Sequence, residues 1–210
     1  SNTVMEVDFY RNLPEHITVH TARMYMESTT AEGESRMLDE FTMPAVHDLA
    51  TARPDVIVFG CTSAGALRGN DYDDELCKKI SSVTGVPVVS VIRSAREVIQ
   101  ENNIKKVVVV TPYVTELNDR IQLSLETDGL EVMKIAGLGI FENFTIAEVA
   151  KEKILELAKN TVGTLNPDGL FVSCTNFPAM NALKELRDTF PFPVITSNQA
   201  AFEKTLKKIN

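Results

Sequence analysis

Two cysteines occupy the same position in a short stretch that the chain contains twice. Pro54–Ser63 reads PDVIVFGCTS and Pro167–Asn176 reads PDGLFVSCTN, and they align without a gap, so Cys61 corresponds to Cys174. Each stretch opens with proline and continues with an apolar run, a pattern typical of a fully buried parallel strand. The cysteines would then lie at the carboxyl ends of strands, where ligands bind in open α/β sheets. We therefore predict that an internal duplication brings two thiols to one cleft.

Two thiols that face one substrate carbon can act as acid and base, one removing a proton while the other delivers one. Alternatively, one thiolate adds covalently to the substrate and the other transfers protons. A helix N-terminus and nearby hydrogen-bond donors lower the pKa of a thiol. Such donors follow both cysteines: Thr62, Ser63, Thr175 and Asn176. Neither scheme requires a metal or an organic cofactor, and we predict none, because the sequence has no Walker loop, GxGxxG motif or metal-ligand cluster.

A cysteine at a strand end is more often a small buried apolar residue than a catalytic one, and only the paired positions favour catalysis. Cys77 lies within DDELCKKI on a predicted helix and is interpreted as a core residue. His16 and His20 lack a neighbouring carboxylate cluster, so we interpret them as solvated or core-edge residues. Arg68 either binds an anion or begins a solvated loop.

Composition narrows the class of protein. The chain has 210 residues, 44% of them hydrophobic, and a formal charge of −8. An acidic surface argues against nucleic acid or an anionic membrane as partner, but permits a small carboxylate held by local donors. No apolar run approaches the roughly 20 residues of a membrane helix, and no signal-peptide pattern opens the chain. Three cysteines form neither a disulfide framework nor a zinc spacing, so we expect a cytoplasmic protein with reduced thiols.

Strand and helix patterns alternate along the chain and predict right-handed crossovers between parallel strands. Besides the two cysteine strands, we predict strands at 16–24, 85–91, 106–111, 130–135 and 191–196. Helices are expected at 34–52 with a kink or split at Pro44, and at 72–83, 95–103, 115–126, 146–161, 181–190 and 200–209. AGALRGN after Cys61 is read as a glycine-rich loop, and Ser94 and Thr145 as N-caps of the helices that follow them.

This order predicts two pseudo-twofold related, flavodoxin-like α/β lobes with mostly parallel sheets and a cleft between them. Residues 1–92 and 190–210 are assigned to the first lobe, and residues 93–189 to the second.

The paired Cys-Thr strand ends resemble those of the aspartate/glutamate racemase superfamily, and FGCTSAGALRG resembles its maleate cis-trans isomerase and arylmalonate decarboxylase branch. Ser1-Asn2-Thr3 is similar to the end of the Pro-Ser-Ser-Asn-Thr loop after that branch's first strand, so a short strand is expected to precede the printed chain. Thr111-Pro112-Tyr113 resembles the branch's second-half loop with its substrate-facing tyrosine. Asn143 matches the position of a further substrate-binding asparagine.

The resemblance implies a cofactor-independent enzyme that acts beside a carboxylate and assembles as a homo-oligomer. In maleate isomerases, the first thiolate adds to the double bond and the second cysteine transfers the proton, which would make Cys61 and Cys174 the catalytic pair. Asn2, Tyr113 and Asn143 would hold carboxylate oxygens, together with amides and hydroxyls after each cysteine.

Several alternatives stay open at this point. Decarboxylases of the branch typically carry glycine at the first cysteine position, which disfavours that activity here. SCTNFPAM has Thr-Asn where maleate isomerases usually carry bulkier residues, so amino-acid or hydantoin racemisation is a further possibility. Two alternatives come from other classes of protein. One is a thiol redox protein, although this chain lacks the Cys-X-X-Cys motif usual in that class. The other is a carboxylate-binding module without turnover.

Overall fold

The strands all run parallel and form two sheets. The computed structural model describes residues 1–209. The strands are β1 (Ile57–Phe59), β2 (Val88–Ser90), β3 (Lys106–Thr111), β4 (Glu131–Gly137), β5 (Gly169–Val172) and β6 (Val194–Thr196). Strand β1 pairs with β2, and the larger sheet has the order β4-β3-β5-β6. The helices are α1 (Met5–Asn12), α2 (Ala31–Arg36), α3 (Thr42–Ala50), α4 (Thr62–Leu67), α5 (Asn70–Thr84), α6 (Val91–Glu101), α7 (Thr115–Thr127), α8 (Asn143–Ala147), α9 (Lys151–Val162), α10 (Ala179–Thr189) and α11 (Ser197–Ile209).

The central pair of strands in the larger sheet, β3 and β5, consists of continuous apolar runs that are buried on both faces. All four residues of β5 are buried, as are the four consecutive valines of β3, Val107 to Val110. The two strands pair in parallel from Val107↔Gly169 to Val110↔Val172. Helices cover both faces of such a sheet, so apolar side chains are needed on each face. The predicted two-lobed α/β fold with mostly parallel sheets is confirmed.

The assignment of chain segments to lobes stays a prediction. In the segment 190–210, β6 pairs with β5 of the larger sheet, and α11 packs against α1, α6 and β2 as well as against β6.

Two predicted elements have a different structure. Residues 16–24 form no strand, although their side chains alternate, because they pair with no other strand in the described part of the chain. AGALRGN is not a loop: most of it lies in α4, whose six residues are all buried. Gly65 allows this packing, since a Cβ at that position would lie 2.7 Å from Ile92 Cγ2.

Two predicted N-caps are also wrong. Helix α6 begins earlier than expected, and the Ser90 hydroxyl caps it by accepting a hydrogen bond from the Arg93 amide. Ser94 lies inside this helix and donates to the Ser90 carbonyl at 2.6 Å. Thr145 lies within the short helix α8, while α9 starts after Ala150.

The helix predicted at 34–52 is interrupted ahead of its proline. It consists of α2, a π-helical turn at Met37–Phe41 and α3. Pro44 has no N–H, and in a regular helix its ring collides with the carbonyl four residues earlier. A wider turn before it, in which the Thr42 amide bonds to the Met37 carbonyl, is one way to relieve this collision. The predicted split is therefore present, but it precedes Pro44.

Candidate active site

Cys61 lies at the junction between β1 and α4. Its extended backbone makes it the N-cap residue of α4, and its Sγ lies 3.9 Å from the hydroxyl of Ser63. Burial raises the pKa of the Cys61 thiol well above its usual range, and negative charge on Glu34 raises it further. The Ala64 amide and the Ser63 hydroxyl oppose this shift by hydrogen bonding. The resting form of Cys61 is therefore the neutral thiol.

Cys174 follows β5 in a strained backbone conformation. Its φ is 120°, a value that residues with a Cβ rarely adopt. The Ser197 hydroxyl accepts a hydrogen bond from the Cys174 amide at 3.0 Å, and the Asn176 amide donates to the Cys174 Sγ at 3.3 Å. Burial raises the pKa of this thiol to about 11, although hydrogen bonds from Tyr113 and two backbone amides oppose the increase. At neutral pH, Cys174 is therefore a potential proton donor.

Both cysteines line one cavity of about 900 Å³. They also interact electrostatically, because a charge on Cys174 raises the pKa of Cys61. The duplicated motif therefore does bring two thiols to one cleft.

Tyr113 completes the group around the thiols. The side chain is buried, and its hydroxyl interacts with Cys174 and Ser63. Burial, and then the charges of Cys174 and Cys61, raise the pKa of Tyr113 well above its ordinary value. The phenol therefore stays protonated and can donate a hydrogen bond within the cavity.

The other predicted binding residues surround this group. Those that line the cavity are Asn2, Ser63, Asn143, Thr175 and Asn176. Asn2 donates to the Thr175 hydroxyl at 2.8 Å, and Asn176 donates to the Asn143 carbonyl at 2.6 Å. Hydrogen bonds to a hydroxyl and to a backbone carbonyl thus hold the amide side chains of Asn2 and Asn176 in place, and the five residues form a polar wall of the cavity.

Thr62 differs from the other predicted binding residues. Its buried hydroxyl donates to Ser197 at 3.0 Å, and the residue does not line the cavity. Its hydroxyl is therefore engaged within the protein, and its role in substrate binding stays a prediction.

Glu34 is the residue that the sequence pattern did not single out. It is fully buried on α2, and its carboxyl is hydrogen-bonded to the Ser63 hydroxyl. Its second oxygen, Oε2, has no hydrogen-bond partner among the described residues. Burial raises the pKa of Glu34 to about 8; the Ser63 hydrogen bond lowers it and the nearby charge of Glu116 raises it. In the sequence, Glu34 is one of several glutamates in a polar segment, and nothing distinguishes it locally.

The remaining candidates lie apart from this chemistry. Cys77 is buried in α5, and all three cysteines are free thiols. His16 and His20 are exposed on the unpaired segment at the cavity rim. Arg68 makes a two-pronged ion pair with Asp39 at 2.7 Å and stacks on Tyr72. Residues 1–209 contain no cluster of metal-ligating side chains and no helix that could cross a membrane.

The buried carboxyl predicts a pH-dependent stability. Between the ordinary pKa of glutamate, 4.5, and the raised value of about 8, the folded chain binds more protons than the unfolded chain. The free energy of unfolding should therefore fall as pH rises, by at most about 1.4 kcal/mol per pH unit from this group. Glu34→Gln should gain stability relative to the unmodified chain between pH 5 and pH 8, measured by urea unfolding. Glu116→Gln, at an exposed site, is the control. If the free energy of unfolding of Glu34→Gln depends on pH in the same way as that of Glu116→Gln, this expectation is contradicted.

The backbone of Cys174 predicts an unusual order of stabilities. Glycine adopts positive φ without the steric penalty that alanine meets, so Cys174→Gly should be roughly 1 kcal/mol more stable than Cys174→Ala. The same two substitutions at Cys77 should show the opposite order, because glycine weakens a helix interior. Thermal unfolding of the four variants checks this, and a less stable glycine variant at Cys174 would disprove the strain.

Comparison with known proteins places this geometry in a family. A maleate isomerase from Geobacillus stearothermophilus is 26% identical over 224 residues, spanning 100% of this chain and 88% of that protein. The crystal structure of the maleate isomerase Iso from Pseudomonas putida has a TM-score of 0.92 at 25% identity, covering 100% of this chain and 89% of that one. A Nocardia farcinica maleate cis-trans isomerase variant with a covalently bound succinylcysteine intermediate has a TM-score of 0.87 at 20% identity, covering 98% and 85%.

The sequence model described as arylmalonate decarboxylase matches residues 11–210. Together with the maleate isomerase relatives, this match confirms the branch that the duplicated cysteine motif indicated. The chain belongs to the arylmalonate decarboxylase family.

Proposed function

We propose that this chain is a cofactor-independent cis-trans isomerase of a small dicarboxylate, with maleate as the model substrate. The observation that carries the proposal is the pair of thiols, Cys61 and Cys174, in one cavity with a polar wall. The curated maleate isomerases span the whole chain, which supports this reaction over others of the family.

Cys61 is a neutral thiol at rest, so it first loses its proton to a base of the site, and the thiolate then adds to one carbon of the double bond. The π electrons move to the neighbouring carbon, beside a carboxylate, and Cys174 donates its proton there. The substrate is then a succinyl group on Cys61, joined by a single carbon–carbon bond that can rotate. This intermediate is of the kind present in the Nocardia farcinica structure.

The reverse steps then release the trans isomer. The Cys174 thiolate removes the proton that it donated, the double bond forms again and the bond to Cys61 breaks. Atoms and electrons balance without an external reactant, so the scheme needs no cofactor. Cys174 suits the proton-transfer role because burial keeps it protonated at neutral pH.

The substrate carboxylates need hydrogen-bond donors to offset the loss of water in a buried cavity. Tyr113 and the amides that follow the cysteines supply such donors close to the thiols. We assign Asn2 and Asn143 to the second carboxylate, because both line the same cavity. A small carboxylate is thus the partner that this polar wall suits.

Decarboxylation of a substituted malonate is the second candidate, because the matching family model carries that description. It would use Cys174 as the proton donor and would not need Cys61. Racemisation uses both thiols and differs from isomerisation in exchanging a substrate α-proton with solvent.

We also propose that the chain acts in the cytoplasm as a homo-oligomer. Free thiols suit a reducing compartment. Light scattering on the purified chain checks the assembly, and a monomeric mass at micromolar concentration would contradict it.

The paired-thiol mechanism predicts that Cys61→Ala and Cys174→Ala each abolish isomerisation of maleate. Both groups act in one reaction, so the double variant should be little slower than either single variant. Proton NMR of the alkene signals in deuterated water measures this. Cys77→Ser is the matched control and should retain activity, because Cys77 is a buried residue of α5 that does not line the cavity.

The same variants separate the alternatives. A decarboxylase would lose activity on phenylmalonate in Cys174→Ala and keep it in Cys61→Gly. A racemase would exchange the α-proton of aspartate or glutamate for deuterium. Full maleate turnover by Cys61→Ala would show the paired mechanism to be wrong, and no reaction with any of these substrates would favour a binding module.

A further inference from the structure

The Ser63 hydroxyl lies between a buried carboxyl and the Cys61 thiol. It is hydrogen-bonded to Glu34 Oε1 on one side and lies 3.9 Å from Cys61 Sγ on the other. Glu34 itself does not line the cavity. Any effect of this carboxyl on the cysteine therefore passes through Ser63 or through the electric field.

Within the series Glu34, Ser63 and Cys61, one proton that is shared by the carboxyl and the thiol can be placed in only two ways. A hydroxyl has a single hydrogen to donate. If Glu34 is ionised, Ser63 donates to the carboxylate and Cys61 must be a thiol that donates to the Ser63 oxygen. If Glu34 is protonated, it donates to Ser63, and the Ser63 hydrogen is free to donate to a Cys61 thiolate.

We propose that Glu34 is a positioning residue that receives the proton of Cys61 through Ser63 and so governs the formation of the thiolate. The step starts from ionised Glu34: the S–H bond of Cys61 breaks as the proton passes to the Ser63 oxygen. The Ser63 proton passes at the same time to Glu34, so no net charge enters or leaves the site. The proposal rests on the proposed function only in taking Cys61 as the nucleophile.

The surroundings of Glu34 favour one negative charge on the pair rather than two. Ionised Glu34 and ionised Cys61 repel each other in a buried region, so each disfavours the charge on the other. The other titratable groups facing the pair are Cys174, Tyr113 and Glu116, which are neutral or anionic, and the Ser1 α-ammonium, which interacts electrostatically with Cys61. The pKa of Glu34, about 8, means that the first proton leaves the pair near that pH. The two groups therefore titrate as a coupled pair.

Alkylation of Cys61 by iodoacetamide reports the thiolate without any turnover. Cys77→Ser and Cys174→Ser leave Cys61 as the reporter, and the rate is measured from pH 6 to pH 10. With Glu34 present, the rate should rise to about pH 8 and then level off, because the pair then holds one proton whose partition between Glu34 and Cys61 no longer depends on pH. With Glu34→Gln, it should continue to rise and be on the order of tenfold faster at pH 10.

Two further variants separate this relay from a structural role. Glu116→Gln removes a nearby exposed charge that is the smallest of the named influences on the pKa of Glu34, so the rate should still level off, at or slightly below pH 8. Ser63→Ala removes the intermediate hydroxyl, so Glu34→Gln should change the alkylation profile less in that background. If Glu34→Gln does not fold, Ser63→Ala still tests the proposal. This variant should slow alkylation below pH 8, because the Cys61 thiolate loses the Ser63 hydroxyl as its hydrogen-bond donor.

Identical alkylation profiles for Glu34→Gln and Glu116→Gln would overturn the proposal, as would an unchanged rate below pH 8 in Ser63→Ala. This outcome is distinct from failure of the proposed function, because alkylation needs no substrate. If maleate is isomerised, kcat/KM should level off above pH 8 with Glu34 and keep rising with Glu34→Gln. If maleate is not isomerised while the alkylation profiles differ as expected, the relay stands and the assigned substrate is wrong.

Discussion

The buried hydroxyl of Ser197 joins the two cysteine-bearing segments, and the geometry of the site depends on it. It accepts hydrogen bonds from the Thr62 hydroxyl and from the Cys174 amide, each at 3.0 Å. Nearby, the Thr175 hydroxyl donates to the Gly60 carbonyl at 3.1 Å. A buried donor that loses its acceptor costs about 1–3 kcal/mol, so these bonds hold the two strand ends in a fixed relation. The thiols are thereby preorganised before any substrate binds.

Burial then gives the site its electrostatic character. Glu34, Tyr113 and both cysteines all have raised pKa values, and burial is the largest cause in each case. The resting site therefore carries few charges, in spite of its many ionisable groups. A dicarboxylate that enters would meet neutral donors rather than repelling anions. The same burial makes a free thiolate costly, which is why a nearby proton acceptor matters.

The two copies of the motif share a sequence pattern but not a local structure. After Cys61, helix α4 begins at once, and the Ala64 amide in its first turn is hydrogen-bonded to the thiol. After Cys174, a turn with positive φ at the cysteine precedes α10, and the Asn176 amide bonds to the sulfur. The two thiols consequently have different partners. Cys61 lies beside the Ser63 hydroxyl, which is hydrogen-bonded to Glu34, whereas Cys174 is hydrogen-bonded to Tyr113. This asymmetry agrees with different roles for the two cysteines in one reaction.

The sequence by itself determined the α/β architecture and the position of the thiols. Continuous apolar runs after Pro54 and Pro167 are local signals, and a parallel sheet places the residues that follow at one edge. Only the tertiary structure decided the rest. Residues 16–24 have a strand pattern but pair with no other strand, since pairing depends on distant residues. The Thr62 hydroxyl turns to Ser197, 135 positions away, and the pKa of Glu34 depends on how completely other elements bury it. Local patterns specify strands and helices, whereas burial and long-range hydrogen bonds arise only when the elements pack.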